Sequence, residues 1–416
     1  MRLIHTSDWH LGQTLHQFER YNEHEAFLTW LRTTLVTQEV DVLLISGDIF
    51  DTANPSAAAQ KQFYRFLQQA KIASPTLQIV IIAGNHDSPG RLEAPAPLME
   101  SLDATVIGFI PRLENGDIDL QRLVIPLHDK QHHIAAWCLA IPFLRPGDVP
   151  RVEGARDLYM EGIALLYRQA TDYALSVRND NQAIIALGHC HMVGGEVSEY
   201  SERPIVIGGT EALSANVFDT SIAYAALGHL HLAQKVGKKD HLRYCGSPIP
   251  LSFAEVDYQH QVLQIDLDGD TVTQITSLPV PRSVELLRIP RQPQSLAKVL
   301  VALTAIDIPQ DTLPDNMPFL EVRVLLDAPE PTLRATIEQA IEGKRVRLAK
   351  IDTHFTHASA EKSDIQRLEE LEKLQPQQIF ERLYQRKYGT KDPSEIPAEI
   401  TTAFAELLLG TPEVRS

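Results

Sequence analysis

Runs of consecutive apolar residues alternate with helical patterns in the first hundred positions of the chain. Residues 1–5 are predicted to form a strand, and residues 40–46 and 77–83 are nearly continuous apolar runs, which are typical of strands covered on both faces. Residues 23–38 place apolar side chains at intervals of three and four, as an amphipathic helix does, and a second helix is predicted over residues 56–71. Strands and helices that alternate in this way indicate an α/β fold with helices packed on a sheet.

The pattern stays mixed but becomes richer in strands between residues 105 and 280. One long helix is predicted near residues 155–176, and residues 261–278 form a hairpin pattern around Asp268-Gly269, a dipeptide typical of tight turns. Other strands are predicted at residues 122–127, 135–143, 183–188, 205–208, 222–228 and 242–245. We expect the hairpin to close a first domain over residues 1–280.

A small α/β domain is predicted over residues 281–355, directly after the boundary at Pro279-Val280-Pro281. Its β-α-β-α-β pattern occupies residues 284–289, 294–304, 319–326, 332–342 and 345–352. Residues 356–416 then form a polar linker followed by helices with apolar stripes. Such stripes are normally core, but here they follow a domain that is complete without them, which favours a helical tail that docks on a partner.

A run of basic residues lies on the last predicted strand of this small domain. It consists of Lys344, Arg345, Arg347 and Lys350. The favoured interpretation is a solvated edge strand, whose charges keep the edge from pairing with another chain. The alternative is a surface that contacts the phosphate backbone of a nucleic acid.

Composition and charge narrow the class of protein. The 416 residues are 44% hydrophobic and 22% charged, the balance of an ordinary globular protein. Cys138, Cys190 and Cys245 are an odd number of widely spaced cysteines, which predicts a reducing, cytoplasmic location. The first residues lack a signal-peptide pattern and no run of about 18 apolar residues occurs, so we expect no membrane association. The net charge of −16, taken alone, disfavours a nucleic-acid partner, because phosphate contacts need lysine and arginine.

Acidic, amide and imidazole side chains cluster in short motifs that follow predicted strands. Each motif lies where the loops of an α/β fold converge on the carboxyl edge of a sheet. The candidate metal ligands are Asp8, His10, Asp48, Asn85, His189, His229 and His231. Carboxylate and amide oxygens mixed with imidazoles suit Mn²⁺, Fe²⁺ or Zn²⁺ better than Ca²⁺.

The spacing and number of these residues predict how they bind. In an extended chain, residues i and i+2 point to one face, so the side chains of Asp8 and His10 could both reach one ion. The glycines before the motifs are expected to keep the turns tight through positive φ angles. The ligands are too many for one catalytic ion with open positions, but they suit two ions roughly 3.5–4 Å apart that share a carboxylate. Such a pair stabilises displacement at phosphorus, which predicts hydrolysis of phosphoesters.

These motifs, in this order, resemble the calcineurin-like metallophosphoesterase superfamily. Further segments extend the likeness to the bacterial nuclease subunits of that superfamily, namely residues 4–13, 46–56, 83–88, 141–148, 226–231 and 243–253. The resemblance implies a two-sheet sandwich flanked by helices, followed by a small α/β capping domain and a helical C-terminal tail.

The resemblance also implies roles for individual residues. The implied ligands of one ion are Asp8, His10, Asp48 and His231. The implied ligands of the other ion are Asp48, Asn85, His189 and His229. Asp48 would bridge the two ions, and Mn²⁺ is the implied metal. His86 matches the catalytic histidine of the superfamily, which protonates or stabilises the leaving oxygen without binding metal, and Asp87 would orient it.

A nuclease subunit of this kind acts on DNA as a double-strand exonuclease and as a single-strand and hairpin endonuclease, in repair, recombination and replication. The resemblance implies a coiled-coil ATPase as its partner, bound by the C-terminal helices, in a heterotetramer with two copies of this chain at the nucleoid. Two divalent ions would add about +4 where the phosphates bind, so the acidic net charge predicts only weak, salt-sensitive DNA binding by the isolated chain.

Other functions stay open at this point. A phosphatase or cyclic-nucleotide phosphodiesterase of the same superfamily would use the same centre on a small substrate, and a non-enzymatic adaptor would have lost ligands. The roles of His191, Asp51 and Arg145 are open as well, because each could touch the site or its substrate or be structural. Cys190 and Cys245 flank motif residues and are expected to be buried, inert thiols.

Overall fold

The computed structural model describes residues 1–155, 157–196, 212–356 and 384. Contacts divide the chain into two compact units. The first comprises residues 1–324 and 331–352, and the second comprises residues 325–330 and 353–416. All of the predicted ligands belong to the first unit.

The first sheet contains the three apolar runs predicted near the start of the chain. Its strands are Arg2–Thr6 (β1), Val42–Ser46 (β4), Gln78–Ile82 (β5), Ala104–Ile107 (β6), Gln261–Asp268 (β13) and Thr271–Pro279 (β14). They are ordered β14-β13-β1-β4-β5-β6. Strands β1, β4, β5 and β6 are parallel to one another, whereas β13 pairs antiparallel with its two neighbours, β14 and β1.

The second sheet is formed by the strand-rich part of the sequence. Its strands are Val124–His128 (β7), Ile134–Ala140 (β8), Ala183–His189 (β9), Ile222–Gly228 (β10), Gln234–Lys235 (β11) and Leu242–Tyr244 (β12). They are ordered β11-β12-β10-β9-β8-β7. The inner strands β8, β9, β10 and β12 are parallel, so their carboxyl ends lie at one edge.

The predicted long helices are present in this part of the chain. The helices are Tyr21–Thr37 (α1), Ala57–Ala73 (α2), Pro89–Glu93 (α3), Ala96–Glu100 (α4), Leu120–Leu123 (α5) and Leu158–Val177 (α6). Polar side chains cap two of the long helices. The Ser56 hydroxyl accepts the backbone N–H of Ala59, and the Asp157 carboxylate accepts the backbone N–H of Met160.

Neighbouring residues of the first sheet point into two different cores, which explains its uninterrupted apolar runs. Leu44 and Val80 pack in one cluster with residues of the second sheet such as Ile185. Leu43 and Ile79 pack in a separate cluster that includes apolar residues of α1 and α2. The first sheet is therefore covered by the second sheet on one face and by helices on the other, as a two-sheet sandwich requires.

The small domain shows the predicted order of elements. These are Leu286–Ser295 (β15), Leu296–Thr304 (α7), Phe319–Leu326 (β16), Leu333–Ala340 (α8) and Arg347–Phe355 (β17). The strands form a sheet in the order β15-β16-β17. Leu286 and Phe319 of this sheet share a buried cluster with Leu15 and Phe253, which lie in short elements outside the two large sheets.

The basic run lies on and beside β17, an edge strand as the favoured interpretation predicts, but its side chains are half-buried and bind groups within the protein. Lys344 Nζ donates hydrogen bonds to the carbonyl oxygens of Thr304 and Ile306 at 2.8 and 2.7 Å. Arg345 donates in the same way to the carbonyl oxygen of Thr312. These cations satisfy carbonyl groups at the ends of turns and helices within the small domain.

Arg347, in the same run, packs on an aromatic face. Its guanidinium carbon lies 3.8 Å from the ring centroid of Phe319 and 5.7 Å from that of Phe18, and its Nε donates to the carbonyl oxygen of Met317 at 2.9 Å. Phe18 belongs to a short strand, Phe18–Glu19 (β3), which pairs with Thr14–Leu15 (β2) just after the first motif. The basic run thus helps to join the small sheet to the main sandwich.

Some predictions lie outside the described residues. They are the strand at residues 205–208 and, except for Thr356 and Tyr384, the linker and helical tail over residues 356–416. Across the described ranges, every helix is too short or too polar to span a lipid bilayer.

Candidate metal centre

The predicted ligands lie at the carboxyl ends of parallel strands in both sheets. The first sheet contributes Asp8 and His10 after β1, Asp48 after β4 and Asn85 after β5. The second sheet contributes His189 at the end of β9, and His229 and His231 after β10. The ends of β4 and β10 are in contact, since the Ser46 hydroxyl donates a hydrogen bond to the carbonyl oxygen of Ala226 at 3.0 Å. The motifs therefore converge, as their positions in the sequence predict.

The loop after β1 is not extended, so the geometric reason given for pairing Asp8 with His10 is wrong. Asp8, His10 and Asp48 have φ angles of 54°, 46° and 50°, a left-handed region that costs a non-glycine residue about 1–3 kcal/mol. Two backbone hydrogen bonds of 3.0 Å offset this cost, from Asp8 to the carbonyl of Gly47 and from His10 to the carbonyl of Asp48. The two loops thus support each other in a strained arrangement that brings their side chains together.

The glycines beside the motifs are needed for two different reasons. Gly47 has a φ of +89°, as the turn prediction requires. Gly84 does not have a positive φ, but a Cβ atom at this position would overlap the carboxylate and backbone nitrogen of Asp48. Close approach of two loops, and not turn geometry, therefore accounts for Gly84.

Asp48 lies in the middle of the cluster and is almost completely buried. Its Oδ2 is 3.6 Å from His10 Nε2 and 3.4 Å from His189 Nε2. Its Oδ1 accepts the backbone N–H of His86 at 2.8 Å. One carboxylate thus faces histidines from both sheets, which is the position that a bridging ligand requires.

On one side of Asp48, Asn85 lies between two histidines of the second sheet. Asn85 Oδ1 is 2.9 Å from His189 Nε2 and 3.2 Å from His229 Nδ1. His189 Nδ1 lies 2.8 Å from the carbonyl oxygen of Ser46 and donates to it. This hydrogen bond orients the ring of His189 so that Nε2 faces Asn85 and Asp48.

On the other side of Asp48, Asp8, His10 and His231 offer ligand atoms that all lie within 4.8 Å of one another. The Asp8 carboxylate also accepts the backbone N–H of His229 at 3.0 Å. That bond ties the loop after β1 to the loop after β10. A ligand group drawn from both sheets is therefore held together by the backbone as well as by side chains.

Burial disfavours the charged forms of the side chains at this centre, but neighbouring groups reverse this effect on the pKa values of Asp48 and His189. Although burial raises the pKa of Asp48, the facing imidazoles, above all His189, hold it well below its usual range. Burial lowers the pKa of His189, yet the charge and hydrogen bond of Asp48 raise it to about 9. Burial and the positive charge of His189 lower the pKa of His229 well below its usual range. Without a bound metal ion, the centre at neutral pH therefore combines the ionised Asp48 with a protonated His189 and a neutral His229, and a metal ion that binds His189 would displace its proton.

The residues present fit metal ions. Among the described residues, His10 Nε2 is buried without a hydrogen-bond partner, a costly state that a bound cation would relieve. A second group of close ligand atoms joins Asp8, Asp48 and His189, and a third joins His10, Asp48 and His86. Overlapping groups of oxygen and imidazole donors around one carboxylate have the composition of a binuclear metal site.

His86 lies at the border of the cluster. Its Nδ1 donates a hydrogen bond to the backbone carbonyl oxygen of Asp51 at 2.7 Å, and its ring lies edge-on to that of His10 with 4.7 Å between centroids. Its exposed fraction of 8% compares with 2% for His10. A substrate that approached the centre from solvent would meet His86 before the deeper histidine.

Asp87 lies beside His86 but contacts the backbone of two loops. Its carboxylate accepts the N–H groups of Gly84 at 2.9 Å, Phe50 at 3.0 Å and Ile49 at 3.2 Å. Burial, and then the charge of Asp48, raises its pKa to about 6. Asp87 thus holds the loops after β4 and β5 together, and its predicted effect on the orientation of the His86 ring stays a prediction.

Two carboxylates support ligand histidines from behind. Asp51 Oδ1 lies 3.2 Å from His10 Nδ1, and Glu255 Oε1 lies 3.0 Å from His231 Nδ1. The proximity of Asp51 to Asp48 in sequence is a signal that could have assigned its role. Sequence reasoning missed Glu255, because it lies 24 residues beyond His231 and belongs to no motif with ligand spacing.

The other open residues are placed near the centre but outside the ligand groups. The His191 ring centroid is 6.3 Å from that of His229. The guanidinium carbon of Arg145 lies 5.5 Å from the ring centroid of Phe143. Cys245 is buried, as predicted, whereas Cys190 is only half-buried. Their surroundings raise the pKa of Cys190 to about 12 and also raise that of Cys245, so both are thiols at neutral pH.

Comparison with protein-family models accounts for most of the chain. Residues 1–233 match the calcineurin-like phosphoesterases, and residues 282–388 match the Type 5 capsule protein repressor C-terminal domain. The first match covers more than half of the chain and includes every predicted ligand. The chain therefore belongs to the calcineurin-like phosphoesterase family.

Curated relatives narrow this assignment. The SbcD subunit of the SbcCD nuclease from Rhodobacter capsulatus is 38% identical over 355 residues, which cover 84% of this chain and 86% of the relative. The SbcD subunit from Escherichia coli (strain K12) is 35% identical over 291 residues, 68% of each chain. Within its family, the chain is thus an SbcD-type nuclease, a metal-dependent phosphodiester hydrolase. A solved dimetal phosphatase from Danio rerio matches over 68% of this chain and 99% of its own, with 12% identity and a TM-score of 0.36, a likeness too weak to bear on function.

Proposed function

We propose that this chain hydrolyses phosphodiester bonds in DNA as the nuclease subunit of an SbcCD-type complex, with Mn²⁺ as its metal. In that complex it acts as a double-strand exonuclease and as a single-strand and hairpin endonuclease, in DNA repair, recombination and replication. The observation that carries the proposal is the cluster of oxygen and imidazole ligands around the buried Asp48.

Two divalent ions are proposed to share Asp48. The further ligands of one ion are Asp8, His10 and His231. The further ligands of the other are Asn85, His189 and His229. Bound here, the ions would stabilise the negative charge that develops on the phosphodiester oxygens.

His86 is the group to which we assign proton transfer. Because its Nδ1–H donates to the carbonyl of Asp51, Nε2 is the ring atom left to face the departing oxygen. The imidazolium form of His86 would give its Nε2 proton to that oxygen and become the neutral ring that keeps Nδ1–H. Its backbone N–H is bound to Asp48 Oδ1, which ties the loop that carries His86 to the shared carboxylate. Asp87 supports this arrangement by holding together the loops after β4 and β5, which carry Asp48 and His86.

The proposed partners are DNA and the coiled-coil ATPase SbcC, because the relatives from Rhodobacter capsulatus and Escherichia coli are both named as parts of an SbcCD nuclease. We assign nuclease chemistry to residues 1–280, a capping role to residues 281–355, and SbcC docking to the helical region over 356–416. Two copies of the chain would assemble in a heterotetramer. A cytoplasmic, nucleoid-associated location follows from a DNA substrate and stays a prediction.

Cleavage of end-labelled duplex and hairpin DNA in Mn²⁺ tests the nuclease proposal. The full-length chain is assayed alone and co-expressed with the candidate ATPase, and we expect cleavage that ATP stimulates in the complex. His86→Ala is the matched control, since it removes the proton donor and leaves every proposed ligand in place. Absence of cleavage in both preparations, or undiminished cleavage by the variant, would contradict the proposal.

The same preparations distinguish a small-molecule enzyme of this family. A mononucleotide and a cyclic nucleotide are offered at concentrations equal to that of the DNA ends. Turnover of either one without DNA cleavage would replace the proposed substrate.

Removal of residues 357–416 tests the proposed docking region. We expect the truncated chain to lose its complex with the ATPase while it keeps its metal ions, because every proposed ligand precedes residue 232. Complex formation equal to that of the full-length chain would assign docking to another surface.

A further inference from the structure

Glu255 is completely buried, yet it belongs to none of the ligand motifs. It ends a short 3₁₀ helix, Phe253–Glu255, that follows the second sheet. Its Oε1 lies 3.0 Å from Nδ1 of His231, whose side chain is also buried. A buried carboxylate is costly unless its oxygens are bound, so this contact requires an explanation.

Both carboxylate oxygens of Glu255 have partners. Oε2 accepts the backbone N–H of Leu251 at 2.8 Å and lies 3.4 Å from the hydroxyl of Ser247. Oε1 faces the imidazole of His231. The segment between Ser247 and Glu255 is thereby folded around the carboxylate, which is held at a fixed distance from the metal centre.

The same segment is held at other points by the small sheet and by the loop after β1. Arg288 of β15 donates to the carbonyl oxygen of Phe253 at 2.5 Å. Gln13 donates to the carbonyl oxygen of Leu251 at 2.8 Å, and Arg20 donates to that of Pro250. Glu255 is therefore preorganised by two neighbouring parts of the fold in addition to its contact with His231.

A carboxylate that accepts Nδ1–H leaves Nε2 of the same ring for a metal and makes that nitrogen a stronger donor. His10 has the same kind of partner, Asp51, at 3.2 Å. In the other ligand group, Nδ1 of His189 has a neutral partner, the carbonyl of Ser46, whereas Nδ1 of His229 faces Oδ1 of Asn85, itself a proposed ligand. The two halves of the centre thus differ in the charge that supports their histidines.

We propose that Glu255 is a positioning residue for His231 and that, through it, the Asp8–His10–His231 group binds its metal ion more tightly than the Asn85–His189–His229 group. This inference rests on the two-metal centre of the proposed function. The ligands themselves reinforce the difference, because one group adds the carboxylate of Asp8 to the shared Asp48, whereas the other adds the neutral amide of Asn85.

Calorimetric titration of the metal-depleted, full-length chain with Mn²⁺ tests the inference without an activity assay. We expect two binding steps of unequal affinity. Glu255→Gln keeps the size of the side chain and removes its charge, so it should weaken the tighter step by about 10- to 100-fold and leave the weaker step unchanged. His229→Ala should remove the weaker step and keep the tighter one.

Two controls keep the outcome clear. Glu93→Gln changes another carboxylate that accepts backbone N–H groups, those of Gly108 and Phe109, and should alter neither step. Glu255→Asp, which keeps the charge at a greater distance, should restore part of the affinity and replaces Glu255→Gln if the latter does not fold by circular dichroism.

Three results would overturn the inference. Equal affinities of the two steps in the wild-type chain would contradict the unequal sites. An unchanged tighter step in both Glu255 variants would contradict the role of Glu255. Fewer than two ions bound to the wild-type chain would contradict the proposed function itself, and this inference with it.

Discussion

The metal centre and the basic run of the small domain are both dense in ionisable side chains, but they use charge in opposite ways. At the metal centre, side chains from loops of two sheets converge on Asp48. In the basic run, each cation binds the nearest carbonyl or carboxylate of its own neighbourhood, as Lys350 does with Glu321 at 2.9 Å. Convergence from distant parts of the chain, and not the number of charges, distinguishes the site from the scaffold.

The metal centre and the basic run also differ in the polar atoms that they leave available to a ligand. At the metal centre, within the described residues, His10 Nε2 is buried without a hydrogen-bond partner. In the basic run, Lys344 and Arg347 donate to backbone carbonyl groups, and Arg347 also covers an aromatic ring. Substitutions should therefore abolish chemistry in the first region and lower stability in the second.

The largest effect is expected from Asp48→Asn. Because Asp48 faces histidines of both ligand groups, the neutral amide should lower the affinity for both ions. DNA cleavage in Mn²⁺ should then fall to the background rate. Elemental analysis of the purified variant should find fewer metal ions than in the wild type. A variant that retained two ions and ordinary cleavage would show that Asp48 is not shared.

His86→Ala should lower the cleavage rate by about 10²- to 10⁴-fold, the usual contribution of a general acid. Metal content should stay at the wild-type level, since the proposed ligands are intact. The measurement is single-turnover cleavage of labelled DNA at saturating Mn²⁺. A parallel loss of metal ions would instead make His86 a ligand, which its proximity to His10 and Asp48 allows.

The sequence predicts the strands and the convergence of the ligand motifs, but it does not predict the backbone conformation of the loops that carry the ligands. Uninterrupted apolar runs such as residues 77–83 reveal a doubly covered strand, and the order of motifs after such strands places their loops at one edge. The left-handed conformations of Asp8 and Asp48 could not be predicted, because only the contact between the two loops makes their cost acceptable.

Glu255 and the basic run show why the rest could not be predicted. The partner of Glu255 is fixed by the folded path of residues 247–255, which has no periodic signal in the sequence. The partners of Lys344 are carbonyl groups some 40 positions away, and a carbonyl carries no sequence signature. Local patterns reveal which side chains are exposed or buried in an element. They do not reveal which backbone groups a long, positively charged side chain will bind.

Arg347→Ala should act on stability. Loss of the contact with Phe319 and of the hydrogen bond to Met317 is expected to lower the free energy of unfolding by about 1–3 kcal/mol. Urea denaturation followed by fluorescence measures this change. Arg334→Ala is the control, because Arg334 is exposed and, among the described residues, pairs with Glu338 at i,i+4, so a change within about 0.5 kcal/mol is expected.

The smallest effect is expected on DNA binding by the basic run. Lys344→Gln together with Lys350→Gln should leave the salt dependence of DNA affinity unchanged, because both charges are already bound within the small domain. Fluorescence anisotropy at several salt concentrations provides the slope. A slope reduced by about one for each lysine removed would restore the phosphate-contact interpretation.

The central claim, that two metal ions lie side by side around Asp48, is tested most directly by electron paramagnetic resonance of the full-length chain loaded with two equivalents of Mn²⁺. Ions roughly 3.5–4 Å apart that share a carboxylate should give the multiline spectrum of a magnetically coupled pair. A spectrum of isolated, uncoupled Mn²⁺ at this loading would contradict the account.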